Sequence, residues 1–254
     1  QYVRCHSSQC FRYNAEKIPI ELSALVEPLW CVLHGFNKFL SVKKYKNDDL
    51  NDNILIFGFG IIGYLWSLVF YDHGFRNVFV IERSAKRQRI AEQCMHIKGV
   101  LGYDEYEQDK IVFSGASPKL FDVAIDCAGE TIQPLLFGYN LLAVGGTLIS
   151  FGVVSDDSSL TINPSWFTRK EITIIGSMQG KYTMEQGIET IQRLVEKKYI
   201  DLRLAQDLKI VKSYDFDEYK EAIRDIKDGN VCKALINVQR GDRGNSPSYR
   251  QSKL

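Results

Sequence analysis

The sequence has little of several features that would assign it to a class at once. Its 254 residues carry a net charge of only +1, and no basic stretch dominates, so nucleic acid is not expected as a partner. No apolar run is long enough to cross a bilayer, so no membrane partner is expected. No Gly-Lys-Ser/Thr follows a glycine loop, which excludes a P-loop nucleotide site.

The 6 cysteines are scattered along the chain and form no regular framework. Cys31, Cys94 and Cys127 stand in apolar contexts, which predicts buried thiols and favours a reducing compartment. Two more cysteines and a histidine lie within residues 5–10, but their spacing matches no zinc-ligand pattern. We therefore predict neither disulfides nor a metal site from the cysteines.

Apolar runs typical of buried strands alternate with helical periodicity from residue 54 to residue 197. Such alternation predicts an α/β fold, a Rossmann doubly wound parallel sheet with helices on both faces. The hydrophobic content of 45% and charged content of 25% are those of a globular protein. The length allows one large domain or two unequal ones.

The most informative stretch is a glycine loop between a predicted strand at residues 54–57 and a predicted helix at residues 61–73. It contains Gly58, Gly60 and Gly63 in the spacing G-x-G-x-x-G. The first glycine permits a tight turn, the second lets a pyrophosphate approach the backbone, and the third lets helix and strand pack closely. The helix N-terminus would supply free N–H groups to phosphates.

An acid stands where this motif requires one. Glu82 follows a second predicted strand, residues 78–81, and could bind the ribose 2′-hydroxyl of a dinucleotide. Methyltransferases use a similar loop with a third glycine at the position of Ile62, which disfavours that class. Arg83 and Arg87 flank the acid and form either a solvated helix face or phosphate contacts, with Arg87 placed to reach the adenosine end.

Further predicted strands also end in small residues, at the sheet edge where open α/β folds bind ligands. The complete set predicted to bind the dinucleotide is Gly58, Gly60, Ile61, Ile62, Gly63, Glu82, Arg83, Arg87, Cys127, Ala128, Gly129, Gly152, Val153, Gly176 and Ser177.

The ends of the chain have a different pattern. Residues 1–20 are predicted to form a strand and a loop, and residues 23–36 a helix with Ser23 as N-cap. Glu27 precedes a proline in this helix, and either borders the first turn or faces a site. A strand, a helix and a strand are predicted between residues 209 and 238, followed by a flexible polar tail.

The tail ends in Ser252-Lys253-Leu254. At an accessible C-terminus this tripeptide is a peroxisomal address read by an import receptor. We therefore expect a peroxisomal location, and otherwise a cytoplasmic one.

Taken together, the motifs resemble the medium-chain dehydrogenase/reductase superfamily, in its zinc-dependent alcohol and polyol branch, which is sorbitol dehydrogenase-like. The matching stretches are residues 24–29, His34 with Gly35, the glycine loop, residues 82–87, 122–126, 144–147 and 174–177.

The resemblance implies an oxidoreductase that transfers a hydride between a secondary alcohol or polyol and NAD, assisted by zinc. Glu27 matches a carboxylate beside the zinc, Glu82 the ribose acid, and Arg87 a residue on the adenosine side. The acid favours NAD, whereas Arg83 leaves NADP open. The family also implies a homo-oligomer.

The resemblance further implies a GroES-like catalytic domain of which only remnants are present at both ends. We expect an N-terminally truncated chain, with an edge of that domain at 1–22, the Rossmann domain at 23–205, a return to the catalytic domain at 206–239 and the tail at 240–254. Zinc is expected only with the missing part.

Gln179 stands where polyol enzymes tend to have arginine, which weakens an assignment to sorbitol. Two alternatives stay open: a zinc-free NADPH-dependent quinone or enoyl reductase of the same superfamily, and a non-catalytic dinucleotide-binding module.

Overall fold

The structure is a computed structural model, and it describes residues 4–7, 10–43, 50–102, 120–178 and 184–238. Gln179, the 240–254 tail and its Ser252-Lys253-Leu254 signal lie outside these ranges and stay predictions. Within them, none of the helices combines the length and apolar character needed to span a membrane.

Six parallel strands form the central sheet, in the spatial order β3-β2-β1-β4-β5-β6. Their bounds are β1 Asn53–Phe57, β2 Asn77–Glu82, β3 Gly99–Gly102, β4 Phe121–Asp126, β5 Leu142–Ser150 and β6 Thr173–Gly176. This is the order of a dinucleotide-binding fold, whose strand order reverses between β1 and β4. The predicted doubly wound parallel sheet is confirmed.

Helices cover both faces of this sheet. Their bounds are α1 Ile20–Ser23, α2 Val26–Val42, α3 Ile61–Asp72, α4 Ala85–Glu92, α5 Gln133–Leu141, α6 Pro164–Arg169, α7 Met184–Glu196 and α8 Leu202–Asp207. Ile54 and Ile56 of β1 are buried in the core that includes residues of α2, α3 and α7. Leu55 and Phe57 are buried in the other core, with residues of α5. The strand is thus buried on both faces, as its unbroken apolar run predicts.

The C-terminal segment forms a separate strand-helix-strand unit. β7 (Val211–Asp215) and β8 (Lys233–Asn237) pair in parallel, and α9 (Tyr219–Lys227) connects them after a single 3₁₀ turn. Asp215 caps this turn together with Glu218, whose side chain accepts a hydrogen bond from the Asp215 N–H at 2.8 Å. The predicted order of elements is found, although β7 begins at residue 211 and not at 209.

The N-terminal predictions need correction. No strand is present in residues 4–7 or 10–18, and Ser23 does not cap a helix. Ser23 ends the short α1, and its hydroxyl donates to the Ile20 carbonyl, so its oxygen is not turned toward the next helix. Leu25 occupies the N-cap of α2, which extends to Val42, six residues beyond the predicted end at residue 36.

Short elements were also missed. β3, α6 and α8 contain 4 to 6 residues each, too few to show a period. α4 ends at Glu92 and not at residue 97. These differences lie away from the glycine loop and leave the predicted sheet intact.

Candidate functional site

The glycine loop forms a tight turn from β1 into α3. Gly58 has φ +89°, a left-handed conformation that favours glycine, and its N–H donates to the Ile81 carbonyl at 2.8 Å. A Cβ on Gly63 would lie 2.0 Å from the Gly58 carbonyl oxygen. The turn and the close helix contact are therefore those expected of the first and third glycines.

Gly60 has a different environment. It is the N-cap of α3 in an extended conformation, and a Cβ there would have only Arg87 Nη1 nearby, at 4.0 Å. Neither backbone strain nor packing demands glycine at this position. The open space lies at a helix N-terminus, which presents unpaired N–H groups to an anion.

Glu82 ends β2 and is almost fully buried. One carboxylate oxygen accepts from the Phe59 N–H in the glycine loop at 2.6 Å, and the other accepts from the Ser84 N–H at 2.7 Å. The acid thus fixes the loop before α3 and the start of α4 together. Each oxygen has a second lone pair left for a ligand hydroxyl.

The loop after β4 is fixed in a similar way by Asp126, which the sequence analysis did not select. One oxygen accepts from the N–H groups of Ala128 and Gly129, at 2.9 and 3.2 Å. The other is buried without a hydrogen-bond partner among the described residues. Burial raises the pKa of Asp126, although the two amide hydrogen bonds act against this. Its signal in the sequence was an acid at the carboxyl end of a strand, directly after the apolar run of residues 123–125.

A cleft of about 300 Å³ opens between these loops. Of the predicted residues it brings together Gly58, Gly60, Glu82, Arg83, Arg87, Cys127 and Ala128. Six lining residues were missed, namely Phe57, Ile81, Glu130, Thr131, Gln133 and Pro134. Phe57 and Ile81 belong to β1 and β2, and the other four belong to the loop after β4 and the start of α5, where no motif marks them. Burial raises the pKa of the Cys127 thiol, so this lining side chain is uncharged at neutral pH.

An ion pair joins two lining residues of the cleft. Arg83 Nη2 lies 2.9 Å from Glu130 Oε2, and both side chains are about 70% exposed. The pair connects the end of β2 to the loop after β4. Such exposed pairs contribute little to stability, but this one changes the charge that a ligand meets, because the guanidinium already has an anionic partner.

The other predicted cofactor residues lie outside the cleft lining. Gly63 is packed against the turn, while Ile61 and Ile62 are half-buried in the first turn of α3. A Cβ on Gly152 would lie 2.5 Å from the Gly129 Cα, so these two loops touch.

Val153 is exposed, and β6 ends in Gly176, whose carbonyl accepts from Lys38. The Ser177 hydroxyl is buried and has no hydrogen-bond partner in the described part of the chain. These residues continue the carboxyl edge of the sheet beyond the cleft.

Glu27 lies exposed in the first turn of α2 and does not line the cleft. One neighbouring side chain, Cys31, is of a type that can bind a metal, and its Sγ donates to Glu27 Oε1 at 3.6 Å. Protein zinc sites use three or four such ligands. No group of three His, Cys, Asp or Glu side chains that could hold a metal occurs in the ranges that the structure describes. Those residues therefore do not make a zinc site.

Comparison with known proteins agrees with this geometry. The model of the family described as "Zinc-binding dehydrogenase" matches residues 67–193, which is half of the chain. The chain belongs to the zinc-binding dehydrogenase family. The match runs from α3, directly after the glycine loop, through α7 and therefore includes most of the cleft.

The names of similar proteins are those of alcohol and polyol dehydrogenases. D-altritol 5-dehydrogenase of Agrobacterium fabrum is 26% identical over 176 residues, covering 69% of this chain and 48% of that protein. The structure of galactitol-1-phosphate dehydrogenase from Escherichia coli is 20% identical, with a TM-score of 0.69, and the match covers 92% of this chain and 65% of that one.

A third similar protein was solved with its cofactor. It is an alcohol dehydrogenase from E. coli CFT073 complexed with NADH, with 15% identity and a TM-score of 0.66, and the match covers 91% of this chain and 63% of that one. At such identities the structures establish the fold alone. The chain spans about half of the altritol enzyme and less than two thirds of the two solved relatives.

Proposed function

We propose that this chain is the dinucleotide-binding part of an NAD-dependent alcohol or polyol dehydrogenase. The observation that carries the proposal is the open space at Gly60, between a helix N-terminus and Arg87. The family membership and the names of the relatives support the same activity.

Each part of the cleft would have a separate task in binding the cofactor. The N–H groups at the start of α3 would bind the pyrophosphate, which the missing side chain of Gly60 admits. Glu82 would accept hydrogen bonds from ribose hydroxyls. The loops ending in Gly152 and Ser177 would extend the site along the carboxyl edge of the sheet. A dinucleotide held in this way would supply the acceptor for the hydride of the alcohol carbon.

We propose NAD in preference to NADP. Glu82 would repel a 2′-phosphate, and Arg83, the cation next to it in the sequence, pairs with Glu130. Two carboxylates therefore border the expected ribose position, and the adjacent Arg83 guanidinium is already paired with one of them. This charge distribution also disfavours the NADPH-dependent quinone or enoyl reductase.

A secondary alcohol or a polyol is proposed as the substrate class, following the relatives. Glu27 and Cys31 lie near each other and could both bind a metal, but the described residues supply no third zinc ligand. The proposed function therefore rests on the cofactor cleft alone.

The test is a titration of the purified chain with NADH, followed by nicotinamide fluorescence. Gly60→Glu would place a bulky anion where the pyrophosphate is expected, and the free space around Gly60 lets the variant fold normally. Met95→Glu is the matched control, because it adds the same charge at an exposed site on the turn after α4.

We expect saturable NADH binding by the parent and by Met95→Glu, and loss of binding by Gly60→Glu with an unchanged melting temperature. Equal binding by all three proteins would show that the glycine loop is not the site. An absence of binding by the parent would contradict the proposed cofactor function of the chain.

A further inference from the structure

A turn in the C-terminal unit holds a residue of the cofactor cleft. This segment, residues 226–230, comprises the last two residues of α9 and the three that follow, and is called the 226–230 turn below. Arg87 Nη2 donates to the Ile226 carbonyl at 3.0 Å, across 139 positions of sequence. Gly229, at φ +70°, packs so closely that a Cβ there would lie 2.7 Å from Ser84 Oγ and 3.5 Å from Arg87 Nε. The turn therefore contacts the Arg87 guanidinium at two atoms, Nη2 and Nε.

The contact uses one nitrogen of the guanidinium and leaves another, Nη1, next to Gly60. Among the described residues other than the chain neighbours of Gly60, Nη1 alone lies within 4.0 Å of a Cβ built there, and Arg87 lines the cleft. Nε is buried without a hydrogen-bond partner among the described residues. A guanidinium carries five N–H donors in a planar fork. Fixing one of them on Ile226 therefore fixes the direction of the others.

The turn itself is held in place by Asp225, the residue before it. Its carboxylate accepts from the Tyr214 hydroxyl at 2.6 Å, from Asn230 Nδ2 at 2.9 Å and from Lys212 Nζ at 3.0 Å. Hydrogen bonds from Tyr214, Asn230 and Lys212 hold the pKa of Asp225 well below its usual range. Because Tyr214 and Lys212 belong to β7, these bonds attach the turn to the small sheet.

The sequence favoured the adenosine end for Arg87, but its Nη1 lies beside Gly60; we therefore propose that the 226–230 turn is a positioning element that aims the Arg87 guanidinium at the pyrophosphate of the bound dinucleotide. The C-terminal unit would then contribute to cofactor affinity through Arg87, although the turn itself does not contact the cofactor. The proposal rests on the proposed cofactor function and adds a second, distant segment to it. A different role for the same contacts would be to attach the C-terminal unit to the Rossmann domain and nothing more.

The two roles differ in which part of the ligand is affected. ADP-ribose carries the pyrophosphate and adenosine does not, so only ADP-ribose affinity should depend on the direction of Arg87. Charge-assisted hydrogen bonds to a phosphate are the strong kind. We therefore expect Arg87→Ala to weaken ADP-ribose binding by about tenfold or more and to leave adenosine binding unchanged within about twofold.

Gly229→Val perturbs the turn without removing any charge. A β-branched residue is a strong outlier at positive φ, so the turn must rearrange and the Ile226 carbonyl must move. Gly145→Val is the matched control, because Gly145 has φ +74° but no neighbour within 4 Å of its Cβ position, and it lies near the amino end of β5, opposite the cleft.

The experiment is a double-mutant cycle on the full chain, with affinities measured by displacement of NADH. We expect Gly229→Val to weaken ADP-ribose binding nearly as much as Arg87→Ala, and to add no further loss in the Arg87→Ala background. Gly145→Val should have no such effect. Asn230→Ala, which removes one bond to Asp225, should give a smaller loss that also disappears when Arg87 is absent.

Several results would overturn the proposal. An equal loss for Gly229→Val with and without Arg87, or an equal loss of adenosine and ADP-ribose affinity, would show a structural role only. If Gly229→Val does not fold, the Asn230→Ala cycle decides by the same criterion. Failure of the parent to bind NADH would instead contradict the proposed function, so the two failures are distinguishable.

Discussion

The burial of His96 predicts a loss of stability at acid pH, and the magnitude of this loss follows from the surroundings of the side chain. The side chain is only 6% exposed and lies against the rings of Tyr64 and Tyr71. Its Nε2 is 2.9 Å from the Ser67 hydroxyl, which donates its one proton to the Tyr64 carbonyl at 2.7 Å. Nε2 must therefore carry a proton and donate to Ser67, so in the neutral imidazole Nδ1 is the unprotonated nitrogen.

Burial lowers the pKa of His96 from 6.5 to about 4. Below pH 6.5 the unfolded chain binds a proton at this residue, whereas the folded chain does so only near pH 4. Since the unfolded state then binds more protons, stability falls as the pH falls through this window. A tenfold change in proton affinity corresponds to about 1.4 kcal/mol, so the loss between pH 7.5 and pH 4.5 is about 2.5 kcal/mol.

The perturbation is His96→Gln, because a glutamine amide can still donate to Ser67 and does not titrate. Urea unfolding followed by tryptophan fluorescence at pH 7.5, 6.0 and 4.5 gives the free energy of unfolding for the parent and the variant. We expect the advantage of the parent over the variant to shrink by about 2.5 kcal/mol between the highest and the lowest pH. A His73→Gln control, which keeps His96, should retain the acid sensitivity of the parent.

Other groups titrate as well, and the comparison removes their effects. Burial raises the pKa of Asp126, which makes its contribution opposite in sign, because the folded state then binds the extra proton. Asp126 is present in both proteins, so its contribution cancels in the difference between them. A difference that does not change with pH would refute the reasoning about His96.

Three further predictions concern packing, cofactor choice and an ion pair. Gly63→Ala should lower the free energy of unfolding by about 1–3 kcal/mol, because its Cβ would overlap the Gly58 carbonyl; an unchanged urea midpoint would contradict this. Glu130→Gln should free Arg83 and raise NADPH affinity relative to NADH by about fivefold at most, measured by fluorescence titration, and an unchanged ratio would remove the pair from cofactor choice. Asp72→Asn should cost about 1–2 kcal/mol in urea unfolding, because Arg193 of α7 and Lys197, directly after α7, donate to this buried carboxylate; an equally stable variant would show that these ion pairs contribute nothing.

The sequence was sufficient for the parts of the site that depend on local pattern. Apolar runs identified five of the six strands of the parallel sheet, all but β3, and the spacing of Gly58, Gly60 and Gly63 identified the turn into α3. Glu82 was recognised because it ends a strand. These features involve neighbours along the chain, so periodicity and spacing carry the necessary information. The extra length of α2 was missed because no cap or breaker marks its ends.

Only the tertiary structure decided which distant groups meet. The pairing of Arg83 with Glu130 depends on β2 and β4 lying on either side of β1, which no local pattern records. The contact of Arg87 with Ile226 joins residues 139 positions apart. The hydrogen bond from the Phe59 N–H to Glu82 likewise depends on the glycine loop lying next to the end of β2. Local periodicity fixes the elements, whereas the order of strands and the packing of loops fix the partners of each charge, and therefore the chemistry of the cleft.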